Sequence, residues 1–111
     1  YRRYMPGKDG SKGEWADAVR LTKSPGADFH VAAATDSSGV VWLAWQSWQK
    51  DNFDTKLTAL ADKHPWSEPK VISTSKANDW SPAIAADAKG NVYVAENRGK
   101  RIHKFRPTSS R

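Results

Sequence analysis

The stretch DFHVAAATDSSGVVWLAWQSW, residues 28–48, has a counterpart in DWSPAIAADAKGNVYVAEN, residues 79–97, 51 positions further on. Each copy runs from an Asp-aromatic pair through a small apolar run to Asp-x-x-Gly, then into a second apolar run. Asp36-Ser37-Ser38-Gly39 and Asp87-Ala88-Lys89-Gly90 have the composition of hairpin turns. The Asp carboxylate accepts local backbone N–H groups there, and the Gly supplies positive φ. No 3.6-residue apolar period runs through either copy, so each predicts strand–turn–strand.

Outward from these hairpins the register holds without a gap, residues 15–45 against 66–96, with nine of 31 aligned positions identical. Trp15, Ser24, Asp28, Ala32, Ala34, Asp36, Gly39, Val41 and Ala44 recur as Trp66, Ser75, Asp79, Ala83, Ala85, Asp87, Gly90, Val92 and Ala95. Leu21/Ile72, Phe29/Trp80, Trp42/Tyr93 and Leu43/Val94 match in kind. A fixed period near 50 residues marks a repeat architecture, whose single unit cannot bury its apolar faces alone.

Eight strands are predicted: Trp15–Thr22, His30–Thr35, Val40–Trp48, Phe53–Leu60, Glu68–Ser73, Pro82–Ala86, Asn91–Asn97 and Arg101–Arg106. Val40–Trp48 is apolar on both faces, as expected of a strand covered from both sides. Val41, Leu43 and Trp45 lie on one face, and Trp42, Ala44 and Trp48 on the other. Phe53–Leu60 alternates, as expected of a half-exposed outer strand. An immunoglobulin-like sandwich has a similar strand number, but its strands do not repeat in groups of four. The expected fold is all-β: two four-stranded β-propeller blades, residues 15–65 and 66–111, behind an N-terminal extension of residues 1–14. Two blades do not close a ring, which takes about four to eight. The chain is therefore expected to be a fragment of a larger ring or a two-blade unit that oligomerises, its partners being further blades or copies of itself.

The 111 residues contain no Cys, which excludes disulfides and thiolate metal sites. No apolar run reaches the roughly 18 residues of a spanning helix, and Tyr1–Lys12 has no signal-peptide core. The net charge of +6 is concentrated in Asn97–Arg111, which holds six basic residues and no acidic one. A solvated strand and end is favoured there over nucleic-acid contact, because no nucleic-acid-binding fold accompanies the charge.

DFHVAAATDSSGVVWLAWQSW, then WSEP, then DWSPAIAADAKGNVYVA resembles the blades of bacterial propellers related to TolB and to sialidase-like repeat proteins. The sialidase Asp-box is not reproduced, since Asp36 and Gly39 are one residue too far apart, so no sialidase catalytic set carries over. GNVYVAENRGKRIHKF, residues 90–105, is similar to an NHL repeat, with Glu96 in place of its usual Asp and Arg101-Ile102 matching its Arg-Ile pair. NHL propellers include lactonases, amidating lyases and binding scaffolds. The resemblance implies a periplasmic or extracellular protein.

In a propeller, the loops before the innermost strand and between strands two and three share one face, the usual ligand surface. The residues expected there are Asp28, His30, Trp48, Asp79, Trp80 and Arg98. An aromatic beside a carboxylate stacks on a sugar ring while accepting hydroxyl bonds. The alternative is structural: such an Asp caps its own turn, and Phe29 and Trp80 fill the gap between blades. Trp15 and Trp66, recurring at the period, are expected packing anchors. His30, His64 and His103 have no metal-ligand spacing, and no Gly-x-Ser-x-Gly marks a nucleophile, so neither a metal nor a cofactor is expected. The leading expectation is a non-catalytic module binding protein or glycan. Two alternatives stay open: part of a propeller hydrolase or lyase with catalytic residues on other blades, and a small trimeric lectin.

Overall fold

A computed structural model of the protein describes residues 1–23, 25–49, 51–60, 68–72, 81–96 and 101–106. Among the described residues all regular structure is strand: β1 (Tyr4–Met5), β2 (Glu14–Trp15), β3 (Asp28–Thr35), β4 (Val41–Trp48), β5 (Phe53–Leu60), β6 (Lys70–Val71), β7 (Ala83–Ala86), β8 (Val92–Glu96) and β9 (Arg101–Phe105). They form three antiparallel meanders: a hairpin β1-β2, sheet I of β3-β4-β5-β6, and sheet II of β7-β8-β9. Among the described residues no helix is long and apolar enough to cross a membrane.

Strands β3 to β9 fall within the predicted runs or one to two residues beyond them; the first run does not. Of Trp15–Thr22 only Trp15 is strand, and it pairs with Tyr4 in the segment expected to be an extension. Tyr1 and Val19 continue the ladder, exchanging bonds of 2.7 and 2.8 Å. Trp15 is consequently not a packing anchor. It is 61% exposed, tilted against the Tyr4 ring at 5.2 Å and under the Arg2 guanidinium at 5.8 Å, because among the described residues no second sheet lies behind this two-stranded ribbon. Trp66 lies outside the described residues.

The two repeats share one turn, down to its side-chain bonds. Asp36 Oδ1 accepts the N–H groups of Ser38 and Val40 at 2.8 and 3.1 Å, and Asp87 Oδ1 those of Lys89 and Asn91 at 2.9 Å each. The second oxygen accepts from the aromatic six residues on, Trp42 Nε1 at 3.0 Å in one repeat and Tyr93 Oη at 3.0 Å in the other. Indole and phenol thus supply the same donor at the same place. Gly39 and Gly90 close the turns at φ of 82° and 86°, left-handed values that glycine adopts without strain.

Asn91 donates to Asp87 through both its side chain and its N–H, and these bonds lead in lowering the Asp87 carboxyl to about 2. The Tyr93 hydroxyl, donating to the same carboxylate, is raised above its ordinary value.

Sheets I and II meet face to face. Directly paired residues share a side, so Trp42, Ala44 and Leu57 form one face of sheet I, and Val92, Val94, Ile84 and Phe105 one face of sheet II. Ala44, Leu57, Val92 and Val94 are buried together between them, with Trp42, Ile72, Ile84, Ala86 and Phe105 packed around. Strand β5 is deeper than its alternation predicts: Thr55, Leu57 and Thr58 are all buried. The β6 strand pairs along its outer edge, and sheet II covers Leu57.

Leu57→Ala is expected to destabilise the fold by about 2–5 kcal/mol, the cost of truncating a buried Leu at a closed contact, as read from the urea midpoint. A folded-state carboxyl held low contributes stability above its ordinary titration range and loses it as pH falls through the lowered value. The Asp87 turn should therefore weaken between about pH 4 and pH 2. Acid titration of Asp87→Asn, followed by circular dichroism, should show a shallower loss over that window than the wild type.

Candidate functional site

At the end of sheet I where β3 begins, β4 ends and β5 begins, three aromatic side chains gather on one side. Phe29 pairs with Gln46, and Trp48 pairs with Phe53, which puts all four on the side of Ala44. Phe53 stands edge-on to both Phe29 at 5.1 Å and Trp48 at 5.0 Å. Phe29 and Trp48 remain 37% and 41% exposed, so the trio is an open aromatic surface beyond the edge of the buried contact. Residues 25–27 pass close over Trp48, whose N–H donates to Ala27 O at 2.9 Å. A Cβ at Gly26 would lie 3.1 Å from Trp48 atoms, so only glycine fits there without a shift. Asn52 and Asp54, bonded to each other at 3.2 Å, sit beside Phe53 in the β4–β5 hairpin.

A bulge brings His30 to this surface. Between Phe29 and Ala32 the β3–β4 register slips by one residue, and His30 takes a φ of 55°. Ser81, its equivalent in the second repeat, takes 46°. Left-handed backbone at a non-glycine residue is costly and often marks a functional site. Here it recurs at the period, which makes it a property of the repeat and not of a reactive histidine. The ring of His30 stands edge-on to Phe29 at 4.8 Å.

Gln46 joins the two sheets at this point. It is fully buried, and its Oε1 accepts the Ser81 N–H at 2.9 Å and faces His30 Nδ1 at 2.7 Å. An oxygen that takes the Ser81 proton cannot also donate, so Nδ1 carries the hydrogen and the neutral ring keeps Nε2 as its acceptor. Ser81 Oγ is 3.4 Å from the same Nδ1. With its Nδ1 proton directed at Gln46, His30 is not placed to take a proton from Ser81 through that nitrogen.

Of the six residues expected at the ligand surface, His30 and Trp48 share this side with Phe29 and Phe53. Asp28 lies at the same end of the sheet but turns to the opposite side, where its Oδ1 accepts from Trp45 Nε1 at 3.2 Å. There it lines a 260 Å³ hollow with Leu21, Val31 and Leu43. Asp79, Trp80 and Arg98 lie outside the described residues. His103 meets the buried Glu96 at 3.1 Å, and among the described residues no group of three or more His, Asp or Glu side chains is arranged to hold a metal ion. Sequence reasoning passed over Phe53 and Gln46. The signal for Gln46 was its place as a polar residue within an otherwise apolar strand; the signal for Phe53 was its mirror position to Trp48 across the hairpin.

Gln46→Leu should loosen the contact between the sheets by about 1–3 kcal/mol, because the Ser81 N–H loses its acceptor. Faster hydrogen exchange at the Ser81 amide is the local readout, and Gln46→Glu, which keeps an acceptor there, should restore most of the protection. Compared with known proteins, the chain matches no family model and no curated protein.

Proposed function

We propose that the protein is a β-propeller repeat module that binds a polar ligand, a glycan in preference to a peptide, through the end of sheet I that carries Phe29, His30, Trp48 and Phe53. The blade reading is supported by what recurs at 51 residues: the Asp turn, the left-handed residue, and the register Ala32↔Ala44 and Ala83↔Ala95. The observation that carries the binding site is the aromatic trio, with Phe29 and Trp48 exposed and each edge-on to Phe53, beside Asn52 of the hairpin and the ring of His30. Aromatic faces bounded by hydrogen-bonding groups suit a sugar ring, whose C–H face stacks while its hydroxyls are held at the rim. The resemblance to TolB-like and NHL repeats agrees with a scaffold presenting ligands at strand ends, outside the cytoplasm.

Binding to a panel of immobilised oligosaccharides and, separately, of short peptides tests this. Trp48→Ala should lower affinity for the retained glycan at least about tenfold, some 1.4 kcal/mol, while leaving the circular dichroism unchanged. Retention of peptides alone would move the ligand class, and unchanged glycan affinity in Trp48→Ala would remove this surface from the site.

A further inference from the structure

The contact between sheets I and II is made from two different faces, and the 51-residue repeat supplies each face twice. Sheet I contributes Trp42, Ala44 and Leu57; at the same register positions sheet II carries Tyr93, Ala95 and Ile102. Sheet II contributes Val92 and Val94, with Pro82 buried just before β7; at the same repeat positions sheet I carries Val41, Leu43 and Val31. The second set of faces is only partly covered: Val41, Leu43, Tyr93 and Ala95 are half-buried, and Ile102 and Val31 are exposed. Leu57 is 5% exposed against 71% for Ile102, and Val31 is 65% exposed where Pro82 is buried.

The N-terminal segment lies beside the open face of sheet I without filling it. Tyr1, Arg2 and Arg3 leave a 300 Å³ hollow over Val41, Leu43 and Leu60, and Leu21 and Thr22 leave another of 260 Å³ over Val31 and Trp45. Tyr1, Tyr4, Met5, Trp15 and Val19 are all more than two-fifths exposed, so little burial holds the hairpin in place against a competing sheet.

We propose that a second copy of the chain fills this face: Tyr93, Ala95 and Ile102 of one copy pack on Val31, Val41 and Leu43 of the next, repeating head to tail the contact already made within each chain. Two surfaces that differ from each other but match their partners' geometry make a heterologous interface, which closes into a ring or extends along a row. The named positions on both halves are apolar; Lys104, paired with Tyr93, and Arg2 and Arg3, beside Val41 and Leu43, place cations at the rim of both faces, so the association should tighten as salt is raised. The backbone approach is the one that Ala44, Leu57, Val92 and Val94 achieve within the chain.

Light scattering on residues 1–111 should give a mass well above the 12.3 kDa of one chain, a fixed multiple of it if the contact closes into a ring and one that grows with concentration if it extends along a row. Ile102→Glu and Val31→Glu, each at an exposed position, should both be folded monomers by light scattering and circular dichroism. Mixed in equal amounts they should form a one-to-one dimer, because each variant keeps the face that the other has lost. A wild-type monomer, as expected if only further blades of a longer chain fit these faces, would overturn the proposal. So would single variants that keep the wild-type mass, or a mixture that stays monomeric.

Discussion

Everything in this fold rests on the burial of Ala44, Leu57, Val92 and Val94 between two sheets too small to stand alone. A three- or four-stranded meander has two faces and can shelter neither by itself, and the apolar area removed from water at this contact is the largest stabilising contribution available to it. Gln46 then fixes how the sheets meet: its buried oxygen takes the backbone proton of Ser81, a group with no strand partner at the bulge. Packing supplies the attraction, and this hydrogen bond sets the orientation.

The repeat is therefore a repeat of physics as much as of letters. Trp42 and Tyr93 differ in chemistry, yet each delivers a donor to the second oxygen of the turn aspartate, tying the hairpin tip to the middle of the next strand. His30 and Ser81 differ more, yet both hold left-handed backbone at the bulge. In each pair, the conserved feature is a constraint on the backbone and the side chain is free to vary. In the first repeat that freedom puts a histidine ring beside Phe29, at the edge of the aromatic surface.

The same geometry explains why the candidate site lies where it does. Sheet II covers the middle of the sheet I face, at Ala44 and Leu57, and stops at Gln46 and Ser81. Beyond that limit Phe29, Trp48 and Phe53 keep the apolar character of a buried strand end, but among the described residues no sheet covers them, and Phe29 and Trp48 stay exposed. A surface of that kind is what an exposed aromatic recognition site requires.

The sequence by itself determined strands β3 to β9, the two Asp turns with their left-handed glycines, and the two-sided apolar character of β4. All of these follow from local chemistry: turn residues, alternation and the 51-residue register. It brought His30 and Trp48 to one end of one sheet for the same reason. Only the tertiary structure decided which side each residue would take: alternation at the start of β3 turns Asp28 away from Phe29, and the one-residue bulge that follows brings His30 round to the Phe29 side. Tertiary structure also made Trp15 a surface residue: a segment with no repeat partner, residues 1–5, paired with it, and among the described residues no sheet backs the indole. Gln46 is the clearest case. Its sequence neighbours mark it as buried, but only the approach of Ser81, 35 residues away, gives its oxygen a partner.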